Sequence, residues 1–98
     1  MNQVLVFYAI YDSAVGAYMR PYVMQSDGQA LRTFIDEVSR EESEIGKHPE
    51  DYSLFRLGSF DVEKGTLHPQ DPKCLARAHE LAAGQEDLQK LRSVSNAS

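Results

Sequence analysis

The sequence predicts an α+β fold, in which a small antiparallel sheet of about four strands (ββαββ) is packed by one helix and followed by a C-terminal helix. Two observations predict it. Strand-like apolar segments flank one amphipathic segment, and the 98 residues, with 42% hydrophobic and 26% charged, suit a single globular domain. We expect a ββαββ core at residues 1–69, a helical extension of the same domain at 70–93, and a flexible tail at 94–98.

Residues 4–11 predict the first strand. Apolar side chains occupy both alternating sets of positions in this segment, which is typical of a central strand covered on both faces. Residues 12–17 contain the turn-favouring Asp12, Ser13 and Gly16, and a β-rich run then continues from 18 to 25. Pro21 interrupts this second strand and has no N–H to donate, so the strand is expected at an edge with irregular pairing.

The main helix is predicted to begin after Ser26. Ser26 and Gln29 have the spacing of a capping box, in which each side chain satisfies a backbone N–H of the first turn. An apolar stripe at helical spacing follows, formed by Leu31, Phe34, Ile35 and Val38. The helix is expected to end near Glu44, where Gly46 and Pro49 favour a loop.

Residues 52–60 predict a third strand with a bulge at Gly58, and 61–65 a turn into a short strand at 66–68. Asp71 and Pro72 then resemble a helix N-cap followed by proline in the first turn. Apolar residues continue at helical spacing to Gly84, and a second stripe extends to about residue 92. These patterns predict the C-terminal helix.

The net charge of −5 is concentrated in residues 36–51. An acidic chain binds nucleic acid poorly unless its basic groups share one face, which argues against simple DNA coating. The longest apolar run, residues 4–11, is far shorter than the roughly 20 residues that cross a bilayer, so we expect no membrane partner. Cys74 is the only cysteine, and a reducing cytoplasm is therefore the expected setting.

Several motifs occur in a fixed order between Ile10 and about Gly65. They are Ile10-Tyr11-Asp12-Ser13, Ala17-Tyr18, Pro21, Ala30-Leu31-Arg32, Phe34, Lys47-His48-Pro49-Glu50-Asp51-Tyr52, Leu54-Phe55, Leu57-Gly58 and Phe60-Asp61. With this set the chain resembles the small nonstructural protein of gokushoviruses, which are single-stranded DNA phages of the microvirus group (Microviridae). The resemblance fades after Gly65, and no function of the C-terminal extension is implied.

The resemblance implies a role in phage DNA replication in the host bacterial cytoplasm, by analogy with protein C of related coliphages. That protein helps to switch synthesis toward single-stranded genomes and packaging. Viral or host replication proteins are the partners that this role implies.

No catalytic residues, metal ligands or cofactors are predicted. His48 beside Glu50 and Asp51 contains acid–base groups, but the segment also suits a turn with local hydrogen bonds. Asp12 and Ser13 suit an Asx turn, and Cys74 with nearby histidines lacks the ligand number of a zinc site. The signature residues are therefore interpreted as structural: Asp12, Ser13, Lys47, His48, Pro49, Glu50, Asp51 and Tyr52.

Aromatic and basic residues of the first hairpin are the main candidates for binding nucleic acid. Bases stack on aromatic side chains whatever the sequence, while arginine neutralises phosphates. The candidate residues are Tyr8, Tyr11, Tyr18, Arg20 and Tyr22, with Arg56 as a possible second phosphate contact. The competing interpretation is that several of these tyrosines pack beneath the helix, because tyrosine suits a half-buried sheet surface.

Three functional hypotheses follow. The first is binding of single-stranded DNA during replication, and the second is a non-enzymatic adaptor that recruits replication or capsid proteins. The third, an enzyme, is not expected. A sheet of four strands also leaves edges and one face exposed, so we expect a homo-oligomer that covers them.

Overall fold

The computed structural model describes residues 3–84 and confirms the α+β class. Five strands are present in this part of the chain: β1 (Val4–Asp12), β2 (Ala17–Tyr18), β3 (Tyr22–Met24), β4 (Tyr52–Asp61) and β5 (Thr66–Arg77). Helix α1 spans Asp27–Ser39, α2 spans Glu44–Lys47, and a 3-10 turn covers Pro49–Asp51. Residues 78–84 are helical and form α3.

The sheet is antiparallel with the order β2-β1-β4-β5, and β3 also pairs with β1. β2 and β3 are two parts of one edge strand, because their register against β1 differs by one residue across the break that contains Pro21. The irregular pairing and the central position of β1 are therefore as predicted. With β2 and β3 taken together, the sheet has the expected four strands.

Helix α1 begins as predicted but ends earlier. The Gln29 backbone N–H donates to Ser26 Oγ at 3.2 Å, and Gln29 Oε1 accepts from the Gln25 N–H at 3.1 Å. The helix ends at Ser39 rather than near Glu44. The reason is a second cap: Ser43 Oγ donates to the Glu37 carbonyl at 2.7 Å and accepts from the Gly46 N–H at 2.9 Å, which starts α2 as a separate helix.

The core lies between one face of the sheet and the helices. Phe34 of α1 is 1% exposed and packs with Leu54 of β4, which has no exposed surface. The other buried members of this cluster are Val6, Tyr8, Ala30, Val38, Ile45 and Ala78. Because Ala78 belongs to it, the first turn of α3 closes the same core as α1.

The prediction of a helix from Pro72 is wrong, since β5 continues to Arg77 and the helix begins at Ala78. β5 is the outer strand of the described sheet, where a proline can be accommodated without losing an interior hydrogen bond. Pro72 also lies in an irregular stretch, because Gly58 pairs with Pro69 and Arg56 with Lys73. The rest of the predicted extension (85–93) and the tail (94–98) lie outside the described residues.

The predicted irregularity at Gly58 is confirmed. The register of β4 shifts there against both of its neighbours. A Cβ at Gly58 would lie 2.6 Å from the carbonyl oxygen of His68, and its φ of 157° is one that other residues rarely adopt. Gly58 therefore permits β5 to approach β4 closely. Within residues 3–84, no helix is long and apolar enough to cross a membrane.

Candidate nucleic-acid interface

The sheet has one face that no helix of the described chain covers. Side chains alternate between faces along a strand, and the core residues Val6 and Tyr8 point toward the helices. We call the opposite side the open face. The strand register assigns to it Leu5, Phe7, Ala9, Tyr11, Tyr18, Val23, Ser53, Phe55, Phe60, Leu67, Pro69, Cys74 and Arg77.

Three aromatic rings cluster at one end of the open face. The Tyr11 and Tyr18 centroids are 4.9 Å apart, and Phe55 lies 5.5 Å from Tyr18 and 6.1 Å from Tyr11. All three pairs have the edge-to-face arrangement that aromatic side chains favour. Tyr18 is 44% exposed, so this aromatic cluster presents ring surface to solvent.

The strand register places no carboxylate on the open face, and Glu80 of α3 lies beside it, with Oε1 4.0 Å from Arg77 Nη1. Among the residues that the register places there, Arg77 is charged; it lies opposite Ser53, which is itself opposite Tyr11. The acidic stretch at 36–51 belongs to α1, α2 and the turn after them, on the other side of the sheet. The surface around the aromatic cluster therefore differs in charge from the chain as a whole.

The remaining predicted binding residues lie elsewhere. Tyr8 has no exposed surface, and its hydroxyl donates to Asp27 Oδ1 at 2.6 Å. Arg56 Nη1 donates to Asp27 Oδ2 at 3.0 Å, and the Tyr22 ring lies 6.0 Å from that of Tyr8. These residues are on the helix-covered side, so the candidate set does not form one surface and Tyr8 offers no ring face to a base. Arg20 is exposed in the break between β2 and β3.

Burial shifts the titration of the covered tyrosines. Desolvation, together with the hydrogen bond and charge of Asp27, raises the pKa of Tyr8 well above its ordinary value of 10.0. Desolvation also raises the pKa of Tyr22. Both hydroxyls therefore stay protonated in the folded chain at pH values where an unfolded chain would ionise.

The free energy of unfolding should consequently fall in alkaline solution. A folded pKa above the unfolded one contributes stability that is complete below about pH 10 and is lost as the pH rises toward the folded value. Urea denaturation between about pH 8 and pH 11 measures this decline. The Tyr8→Phe variant should show a shallower decline, and an equal decline in both proteins would contradict the assignment to Tyr8.

The signature residues join the ends of β1 and β4. Asp12 Oδ1 accepts from the Ala14 N–H at 3.0 Å, which is the Asx turn predicted for this segment. The Ser13 N–H and Oγ both donate to the Asp51 carbonyl, at 2.8 and 3.1 Å. Asp12 also pairs with Tyr52, the first residue of β4. These contacts fix the turn after β1 against the entry to β4.

The loop from Lys47 to Tyr52 contributes backbone contacts of the same kind. Lys47 and His48 close α2, and Pro49 opens the 3-10 turn, whose Asp51 N–H donates to the His48 carbonyl at 3.0 Å. Burial, and the carboxylates of Asp12, Glu44 and Asp51, raise the pKa of Tyr52. The contacts that the structure gives for these signature residues are thus contacts within the fold.

His48, Glu50 and Asp51 are the acid–base group singled out in the sequence. Their ligand atoms lie within 4.8 Å of one another, and His48 Nδ1 is 3.8 Å from Glu50 Oε1. The His48 and Glu50 side chains are more than half exposed, so water competes for every contact. Catalysis by such groups requires a positioned substrate, and the exposure of both side chains opens this turn to solvent.

A family model described as "Phage ORF5 protein" matches residues 5–81. The chain belongs to the phage ORF5 protein family. The match covers all of the sheet except Val4 and continues beyond Gly65, so it includes β5. No curated protein and no solved structure is significantly similar to the chain.

The sequence-based search missed Phe55, Cys74 and Arg77 as members of the open face. Phe55 pairs with both Ala9 and Cys74 across neighbouring strands. A signal for the division of the tyrosines was present in the sequence, since Tyr8 and Tyr11 are an odd number of residues apart and must point to opposite faces of a regular strand. The position of Arg77 had no such signal, because its segment was predicted to be helical.

Proposed function

We propose that this phage protein binds single-stranded DNA, without enzymatic activity, through the aromatic cluster of the open face. The observation that supports this function best is the cluster of Tyr11, Tyr18 and Phe55, in which Tyr18 is 44% exposed, on a face where the strand register places no carboxylate. Aromatic side chains on a sheet provide a stacking surface for bases of any sequence. The Asx turn, the signature contacts and the buried tyrosines have structural roles instead.

The proposed biological setting is phage DNA replication in the host bacterial cytoplasm. Membership of a phage family supports the viral context, and the resemblance to the gokushovirus protein narrows it to the switch toward single-stranded genome synthesis and packaging. Sequence-independent stacking suits a protein that must engage a whole genome, because no base-specific hydrogen bonds are required.

Stacking must supply most of the affinity. Each stacked base contributes about 1–3 kcal/mol. The cations available are Arg77 on the open face, whose Nη1 lies 4.0 Å from Glu80 Oε1, and the exposed Arg20 at the edge-strand break. Two phosphate contacts give a slope of about −1.4 in a plot of log K against log salt. The proposed binding is therefore weak for each chain and depends only modestly on salt.

Substitutions at Tyr18 test the proposal. Fluorescence anisotropy with a labelled oligo-dT strand should show that Tyr18→Ala weakens binding about 5- to 150-fold, corresponding to the loss of one stacked base. Tyr18→Phe retains the ring and should bind almost as well as the natural chain. Val15→Ala, in an exposed turn outside the open face, is the control for a general surface change.

The single cysteine offers a second readout that needs no substitution. Cys74 is exposed and lies opposite Phe55 on the next strand, so bound DNA should slow its reaction with a thiol reagent. Duplex DNA of the same sequence should protect it less, since its bases are already stacked. An absence of oligonucleotide binding at low salt would overturn the proposed function and favour the adaptor hypothesis.

A further inference from the structure

A second region of the open face is apolar rather than aromatic. A shallow depression of about 330 Å³ lies beside β1, β4 and β5, and its lining is almost wholly apolar. Phe7, Pro21 and Leu57 line it, and Leu67 and Pro69 lie at its β5 side. We call this region the aliphatic patch. It lies toward the N-terminal end of β1, whereas Tyr11 of the aromatic cluster is near the C-terminal end.

We propose that the aliphatic patch binds the same patch of a second copy of this chain, forming a two-fold symmetric dimer. In a two-fold interface each copy presents the same surface, so one patch must contain both projecting side chains and a concavity that accepts those of the other copy. Leu67 is 64% exposed at the side of the depression, and Val23 is 42% exposed on the edge strand. Projecting side chains and a concavity to receive them therefore occur together.

The distribution of charge permits two copies to meet at the aliphatic patch but not through the helix side. Two chains with a net charge of −5 repel each other, and contact through the acidic helix side would bring carboxylates together. No carboxylate lines the depression, and its one titratable lining residue is His68. The aliphatic patch is thus a surface through which two acidic copies can meet without juxtaposing their carboxylates.

The same chemistry disfavours nucleic acid at this position. No lysine or arginine lines the depression, and Phe7 is the one phenyl or phenol ring in its lining, so it offers neither a permanent cation to a phosphate nor a group of rings on which bases could stack. An exposed leucine and valine beside a concave apolar surface match the apolar core of a protein interface instead.

The proposed dimer is compatible with DNA binding. Phe7 and Tyr11 are four residues apart on β1, which corresponds to about 13 Å along an extended strand. Contact through the aliphatic patch therefore leaves room for the aromatic cluster at the other end of the face. Two clusters in one particle would raise the avidity for a long strand without any new contact to DNA.

Sedimentation equilibrium of the full chain tests the dimer. As the concentration is raised to about 100 μM, the measured mass of the natural protein should approach twice its monomer mass of 11.0 kDa. Leu67→Asp places two carboxylates in the interface, one from each copy, and should raise the dimer dissociation constant at least about 100-fold. Val15→Asp adds the same charge at a 75% exposed turn outside the patch and should leave the mass unchanged.

Leu67 is mostly exposed, so Leu67→Asp is expected to fold, and circular dichroism checks this. If it does not fold, Val23→Asp provides the same comparison from the edge strand. A natural chain that stays monomeric throughout the concentration range overturns the proposal. Val23 lies opposite the lining residue Phe7 on the edge strand. A dimer that both Leu67→Asp and Val23→Asp leave intact also overturns the proposal, because the contact would then lie elsewhere on the molecule.

Discussion

Replacing Gly46 with alanine is expected to lower the free energy of unfolding by about 3 kcal/mol, the range in which overpacking against rigid structure falls. A Cβ at this position would overlap the backbone carbonyl of Arg40, and the carbonyl carbon would be only 2.8 Å away. The obstacle is backbone, which cannot rotate aside as a flexible side chain can. Relief requires α2 to move away from the end of α1.

Gly28→Ala is the matched control. Gly28 lies in α1, and the nearest atom to an added Cβ is Ser26 Oγ at 3.9 Å, an ordinary contact. Alanine there should raise the free energy of unfolding by about 0.5 kcal/mol, because it restricts the unfolded chain and favours the helix. Glycine-to-alanine substitution is thus expected to lower the free energy of unfolding at position 46 and to raise it at position 28. Urea denaturation measures both, and a Gly46→Ala variant as stable as the natural chain would contradict the close approach.

The role of Gly46 shows one limit of prediction from the sequence. A glycine before a proline predicted a loop, but α1 has already ended at Ser39 and Gly46 lies inside α2. The actual requirement comes from Ser43, whose hydroxyl bridges the end of α1 and the start of α2. That bridge brings α2 back against the Arg40 carbonyl, a tertiary contact that no spacing in the sequence reveals.

The sheet was predictable where local patterns agreed with their tertiary surroundings. Doubly apolar β1 became the central strand, and Pro21 marked the break in its neighbour. The prediction for residues 70–77 failed because their local pattern is ambiguous: Asp71-Pro72 resembles the start of a helix, although the segment is a strand. Pairing with β4 decided the outcome, and long-range pairing of this kind overrides local propensity.

The candidate interface was partly predictable for a similar reason. Residue types identified a tyrosine-rich hairpin, and two of its tyrosines, Tyr11 and Tyr18, lie on the open face. Grouping all the tyrosines together ignored the alternation along β1, which directs Tyr8 toward the helices. Phe55 joins the cluster only through the register between β1 and β4, and register between distant strands is set by the whole fold.

Substituting Asp27 with alanine is expected to cost about 3 kcal/mol of unfolding free energy, since it leaves two partners without an acceptor. Its carboxylate accepts from the Tyr8 hydroxyl at 2.6 Å and from Arg56 at 3.0 Å. Tyr8 is fully buried, so the hydroxyl loses its bond without gaining water. The pair with Arg56 contributes less than a buried pair would, because the two side chains remain 32% and 36% exposed.

A double-mutant cycle separates the two contacts. Arg56→Met should destabilise the natural chain. In the Asp27→Ala background the same substitution should leave the stability almost unchanged or raise it, because the arginine there has lost its counter-ion. Asp36→Ala, an exposed acidic position on the same helix, should change stability by less than about 0.5 kcal/mol. Equal effects of Arg56→Met in both backgrounds would mean that Asp27 and Arg56 do not interact. A smaller effect in the Asp27→Ala background would instead identify Arg56 as a residue that anchors α1 to β4. Phosphate contacts in the proposed DNA binding would then come from other arginines.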